Sequence, residues 1–174
     1  IRSALAASSA STWVHYRLIN DPTYVSVCDV NSTVSCSQAY TSAYGSVAGV
    51  PVALLGLLFF LFVIGLVALC RRSPGASQNL AGYLFAASTA GLAVVLYLGY
   101  ASYFILGTLC LLCVGTYVAV IGLFLTSGAA AKDPMSSLPA RAARDLETLL
   151  RTPAALSAVV LFVAGAVATI LLFP

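Results

Sequence analysis

The stretch PVALLGLLFFLFVIGLVAL, residues 51–69, contains no charged residue and no polar side chain. A helix needs about 20 apolar residues to cross a hydrocarbon core about 30 Å thick, and this stretch is close to one crossing. Pro51 suits the first turn of a helix, and Cys70-Arg71-Arg72 closes the stretch with two cations. The surrounding chain repeats the pattern. No charge occurs between Asp29 and Arg71, between Arg72 and Lys132, or after Arg151, so 123 of the 174 residues lie in three charge-free tracts. The chain is 61% hydrophobic and 7% charged, whereas a soluble domain is about a quarter charged. This composition excludes a water-soluble globule and a disordered chain, and it predicts an all-α membrane protein. A net charge of +3, dispersed along the chain, carries no nucleic-acid signal.

Five spans are expected. Residues 3–19 are small and weakly polar (Ser8, Ser9, Ser11, Thr12) and end in Trp13, His15, Tyr16 and Arg17. Small residues favour close packing within a bundle, and Trp and Tyr favour the headgroup zone. His15 therefore reads as a polar anchor at the interface. Residues 20–49 form a polar loop rich in Ser, Thr and Tyr, without periodicity, that holds Cys28 and Cys36. After the second span, 71–75 read as a short basic turn. The third span covers roughly 80–105. The fourth covers roughly 106–126, with Cys110 and Cys113 near its start. A polar segment, 127–152, contains a short amphipathic helix over 139–150 suited to a membrane surface. The last span runs from 153 to 173. Residue 1 is Ile and the sole methionine is Met135, so the chain is expected to be a trimmed piece of a longer one.

Arg71 and Arg72, together with Lys132, Arg141, Arg144 and Arg151, fall in the second-to-third and fourth-to-fifth connections. The positive-inside rule puts both connections in the cytoplasm. The Cys28/Cys36 loop and the start of the fourth span then face outward, on the oxidising side where disulfides persist. Cys70 remains on the cytoplasmic side as an unpaired thiol.

A structural disulfide is the plain reading of Cys28 and Cys36. A Cys-x-x-Cys in a membrane helix asks for more. Positions 110 and 113 lie about one helical turn apart on one face, in the first turns, where the positive end of the dipole favours a thiolate. Haem attachment needs a His after the second Cys, and Val114 stands there. Four-cysteine zinc sites use other spacings, so no metal is expected. Two dithiol pairs on one side allow electrons to pass between them by disulfide exchange. A lipid-soluble quinone is a natural two-electron acceptor within a bilayer.

Cys28-Asp29-Val30, Ser35-Cys36-Ser37, Tyr40, Ser42, Tyr44 and Gly45, then Gly49-Val50-Pro51-Val52 through Gly56, and finally Cys110-Leu-Leu-Cys113 with Tyr117, resemble in residue and order the vitamin K epoxide reductase (VKOR) family. The resemblance implies a four-helix transmembrane bundle around a quinone site over residues 1–126, capped by the cysteine loop, 20–49. Residues 127–152 are then a cytoplasmic linker, and 153–174 a fifth transmembrane helix leading, as in bacterial members, to a thioredoxin-like domain that is missing here or acts as a separate protein. By the same resemblance Cys28 pairs with Cys36 and takes electrons from a thioredoxin-like partner. Cys36 exchanges with Cys110, and Cys113 faces the quinone, whether menaquinone, ubiquinone or a vitamin K-like compound. Tyr117 is placed to meet a quinone carbonyl, and Ser42 and Tyr44 to cover the site. Animal members carry a substrate-bonding asparagine near the start of the second span, where this chain has Val52 or Ala53; plain quinone reduction fits better than epoxide reduction. The rivals are a DsbB-like oxidase, in which the Cys-x-x-Cys precedes the loop pair, and a non-enzymatic membrane protein with structural disulfides. Asp29 reads as an exposed loop acid, and Asn31-Ser32-Thr33 as an incidental glycosylation sequon in a bacterial inner-membrane protein.

Overall fold

The apolar residues 52–69 lie in a single helix, α3 (Val52–Arg72), in a computed structural model that describes residues 2–172 other than 22, 32, 48, 73, 132–136 and 151–152. Before it come α1 (Arg2–Asn20), the short α2 (Cys36–Thr41) and a two-stranded antiparallel hairpin, β1 (Ser46–Val47) with β2 (Val50–Pro51). After it come α4 (Pro74–Tyr100), a π-helical turn (Ala101–Ile105), α5 (Leu111–Ala130), α6 (Leu138–Leu150) and α7 (Pro153–Leu172). The sequon at Ser32, the basic markers Lys132 and Arg151, and Ser73 of the basic turn lie outside the described residues.

Helices α1, α3, α4 and α5 close into a ring: α1 packs on α3 and α5, and α4 packs on α3 and α5. α7 lies against the outside of α3, with Phe162 beside Phe62, and α6 rests on α4 and α7. Among the described residues three helices are long and apolar enough to cross a membrane: Val52–Arg72, Ala76–Ile105 and Leu111–Ala130. α7 contributes a shorter apolar helix, Ala155–Leu171. α1 is less apolar because it turns a polar face into the ring. Ala4, Ser8, Ser11, Val14 and His15 recur at three- and four-residue spacing and are all buried. His15 is thus 4% exposed and stacks on Tyr40 at 5.1 Å between ring centroids. It is a core residue of the bundle rather than an interfacial anchor.

Several expected boundaries move for local reasons. Pro51, expected inside the first helical turn, ends β2; the helix starts one residue later, where the Val52 amide donates to the Gly45 carbonyl at 3.0 Å. The third span begins at Pro74 rather than near residue 80, because the polar residues ahead of the apolar run have partners. Asn79 donates to Asp145 on α6 at 2.9 Å and accepts from Arg141 at 3.0 Å, and the Tyr83 hydroxyl donates to the same carboxylate at 2.6 Å. The fourth span begins at Leu111 rather than near 106. Gly107, at φ +63°, reverses the chain after the π-turn in a conformation that favours glycine.

The cysteine loop is more ordered than its composition indicates. Ser35 caps α2, its hydroxyl accepting from the Gln38 amide at 3.1 Å. Gly45 then folds back so closely that a β-carbon there would overlap the Tyr40 carbonyl.

Candidate active site

Cys28, Cys36, Cys110 and Cys113 meet at one end of the ring. Cys28 and Cys36 form one disulfide and Cys110 and Cys113 a second. Cys36 Sγ lies 3.6 Å from Cys110 Sγ, within reach of exchange. Cys36 and Cys110 are fully buried, at 0% and 1% exposure. Backbone pairing sets this approach. The Leu109 amide donates to the Thr33 carbonyl at 2.8 Å, and the Ser35 amide donates to the Leu109 carbonyl at 3.1 Å. This short parallel bridge pairs Val34 with Leu109, two residues before Cys36 and one before Cys110.

Cys110 is not inside a helix, as the one-turn spacing suggested. It is the N-cap of α5, with extended backbone (φ −90°, ψ 113°), and its sulfur accepts from the Cys113 amide at 3.2 Å. The sulfur takes the place of the oxygen of an ordinary N-cap side chain. Cys113 lies in the first turn, where the free amides and the helix dipole favour negative charge.

Inside the ring, against Cys110 and Cys113, is a cavity of about 660 Å³. Its walls are largely apolar, from residues of α3, α4 and α5 such as Phe59, Val94 and Val120. Tyr117 lines it four residues beyond Cys113, one turn along the same face. Tyr44 lines it from the loop, near Tyr97 of α4 with ring centroids 6.2 Å apart. Ser42 does not belong to this lining; its hydroxyl donates to the Ala39 carbonyl at 2.7 Å and closes the end of α2. Val52 and Ala53 are part of the wall. Among the described residues no group of three or more His, Cys, Asp and Glu is arranged to hold a metal ion.

The structure adds residues that sequence reading passed over. Ser8 and Ser11, read as helix-packing residues, line the cavity. The Ser8 hydroxyl is buried without a hydrogen-bond partner. Ser11 is hydrogen-bonded to the Tyr40 hydroxyl at 2.5 Å, which lies 3.4 Å from Cys110 Sγ and 3.8 Å from Cys113 Sγ. Burial pushes the Tyr40 phenol above its usual range, against the opposing pull of the Ser11 contact, so it keeps its proton at neutral pH. Asp29 is a clamp rather than a free loop acid. It accepts from the Ser35 hydroxyl at 2.9 Å, the Ser37 amide at 3.0 Å and the Ser37 hydroxyl. Partial burial raises its pKa, but these bonds outweigh it and leave the carboxyl below its usual value. A signal for α2 was present in the sequence: Ser35 followed three residues later by Gln38 is a capping pattern.

The profile of the vitamin K epoxide reductase family matches residues 3–127, the ring helices with their cysteine loop. Among curated proteins, vitamin K epoxide reductase complex subunit 1 of Mus musculus is 28% identical over 138 residues, covering 72% of this chain and 82% of the relative. The protein of the same name from Rattus norvegicus is 29% identical over 136 residues, with the same shares covered. A matched region longer than half of the chain, two cysteine pairs at one end of the bundle and three helices able to cross a bilayer lead to one conclusion: this chain belongs to the vitamin K epoxide reductase family and is a multi-pass membrane redox enzyme.

Proposed function

We propose that the protein is a thiol:quinone oxidoreductase that carries electrons from an exported thioredoxin-like protein, or a fused domain of that kind, to a membrane quinone and so supports disulfide formation. The observation that carries this reading is the 3.6 Å approach of Cys36 to Cys110 beside an apolar cavity. A partner thiolate attacks Cys28 and expels the Cys36 thiolate; the second partner thiol resolves the mixed disulfide and leaves oxidised. The Cys36 thiolate then attacks Cys110, and Cys113 leaves as a thiolate at the start of α5, where the helix end favours it. Cys28 reforms the loop disulfide and frees Cys110. The Cys110/Cys113 dithiol reduces the quinone with two electrons and two protons and closes again as a disulfide. The net reaction is partner dithiol plus quinone giving partner disulfide plus quinol.

A largely apolar cavity of this size suits a quinone ring, with the Tyr117 phenol as a donor to a carbonyl. The relatives are named for vitamin K epoxide reductase. Plain quinone reduction is placed first for this chain because Val52 and Ala53 offer no amide to the substrate. The cysteine end is assigned to the outer side of a bacterial inner membrane, since Arg71 and Arg72 lie at the opposite end of α3.

The order of exchange is tested by trapping. With Cys28→Ala and Cys113→Ala combined, neither resolving thiol is present, and a stable Cys36–Cys110 disulfide should accumulate under mild oxidation. Peptide mass spectrometry detects it. Its absence from a folded variant would contradict direct exchange between these sulfurs.

A further inference from the structure

We propose that the Tyr40 hydroxyl, held in place by Ser11, is the hydrogen-bond donor that stabilises the Cys113 thiolate released when the Cys110–Cys113 disulfide opens. The inference rests on the relay reading above and adds to it a group that the relay does not use. The Tyr40 hydroxyl lies within hydrogen-bonding reach of both sulfurs, at 3.4 Å and 3.8 Å. It sits on α2, while the sulfurs belong to the start of α5 and Ser11 to α1. Three elements therefore converge on one hydroxyl.

The donor direction follows from which groups can give a proton. A disulfide sulfur and a thiolate have no hydrogen, so a bond between Tyr40 and either must use the phenol proton. The Ser11 hydroxyl, 2.5 Å away, then donates to the phenol oxygen, and the two bonds run in one direction. A neutral disulfide is a weak acceptor and a thiolate a strong one. The contact therefore strengthens as charge develops on Cys113, which is the condition for lowering the barrier rather than merely tightening the resting state. Stacking on His15 at 5.1 Å keeps the ring in register. No proton leaves Tyr40 in this step; the bond is donated and the charge stays on sulfur.

The other titratable side chains around the site are His15 on α1, Cys36 on α2, Tyr24, Cys28 and Tyr44 in the loop, Tyr97 on α4 and Tyr117 on α5, with Asp29 behind Cys36 on Ser35 and Ser37. The residues of α3 that line the cavity carry none. The Asp29 carboxylate is engaged by Ser35 and Ser37 and has no hydrogen bond to Tyr40, so removing the Tyr40 hydroxyl leaves its partners in place.

The test uses the full chain in detergent, fully reduced, with iodoacetamide as the probe and the Cys113 peptide quantified by mass spectrometry. Tyr40→Phe keeps the ring and its stacking and removes only the hydroxyl. Labelling of Cys113 at pH 7 should slow about threefold, because the smaller thiolate fraction is partly offset by greater nucleophilicity, and the gap should close or reverse by pH 10. Ser11→Ala leaves the phenol in place but unanchored, and should give an intermediate slowing with the same pH dependence. Menadione reduction driven by a reduced thioredoxin-like protein should slow roughly three- to tenfold in Tyr40→Phe. Unchanged labelling at pH 7, or a slowing that persists equally at pH 10 and so reports access alone, would overturn the proposal. If the parent protein reduces no menadione, the relay reading fails, while the labelling comparison still decides the role of Tyr40.

Discussion

Asp29 shows how one side chain sets the geometry of the loop sulfurs. Its carboxylate takes hydrogen bonds from Ser35 and Ser37, on either side of Cys36, and these hold its pKa below the ordinary aspartate value of about 3.9. A group depressed in the folded state adds stability that is complete above its unfolded pKa and is lost as pH falls through the folded one. The protection factor of the Ser37 amide, its exchange corrected for the intrinsic pH dependence, should therefore be high and flat above about pH 5 and should fall below about pH 4. Asp29→Asn should abolish that dependence and cost about 1 kcal/mol, the usual figure for a charged hydrogen bond reduced for a group this open to water. An unchanged pH profile in the variant would show that another group clamps the loop. At this scale the four cysteines stood out by their spacing and by the order of the spans, while the place of Tyr117 beside them came from the family resemblance rather than from spacing. Asp29 and His15 were not. Whether a lone acid or imidazole is exposed depends on what the fold packs against it, and neither neighbour is near in sequence.

At the scale of elements, the decisive feature is the bridge between the cysteine loop and the segment before α5. Leu109 is 40% exposed, so its side chain contributes little, whereas its amide and carbonyl tie Thr33 and Ser35 to the fourth span. Leu109→Pro removes the amide donor. It should leave both disulfides able to form yet slow Cys36–Cys110 exchange by at least about fivefold, as expected for leaving a carbonyl without its donor at about 1–3 kcal/mol. Timed alkylation of the Cys113 thiol that exchange frees in a Cys28→Ala variant, with and without the substitution, measures this; equal rates would mean that the bridge does not set the approach. The apolar helices were readable from composition, apart from their ends. Pairing between residues 33–35 and 109 was not, since an isolated bridge leaves no periodic pattern. The position of Cys110 was misread for a related reason. Spacing of three fits a helix, but Gly107 and the bridge hold the preceding backbone extended, and the helix begins one residue later.

On the scale of the whole molecule, a ring of four helices encloses an apolar space, with exchange sulfurs at one end and Arg71 and Arg72 at the opposite end of α3. The lack of charge between Arg72 and Lys132 foretold the apolar walls. It did not foretell that α1 would supply a polar stripe, because Ser8 and Ser11 read equally well as helix-packing residues. The central claim is that this space and these sulfurs form one electron path from dithiol to quinone. The most direct test follows the absorbance of a supplied quinone in the presence of a reduced thioredoxin-like protein, comparing the parent chain with a folded Cys113→Ala variant. The account predicts steady quinone loss with the parent and loss of essentially all turnover with the variant. Equal rates in the two would contradict it.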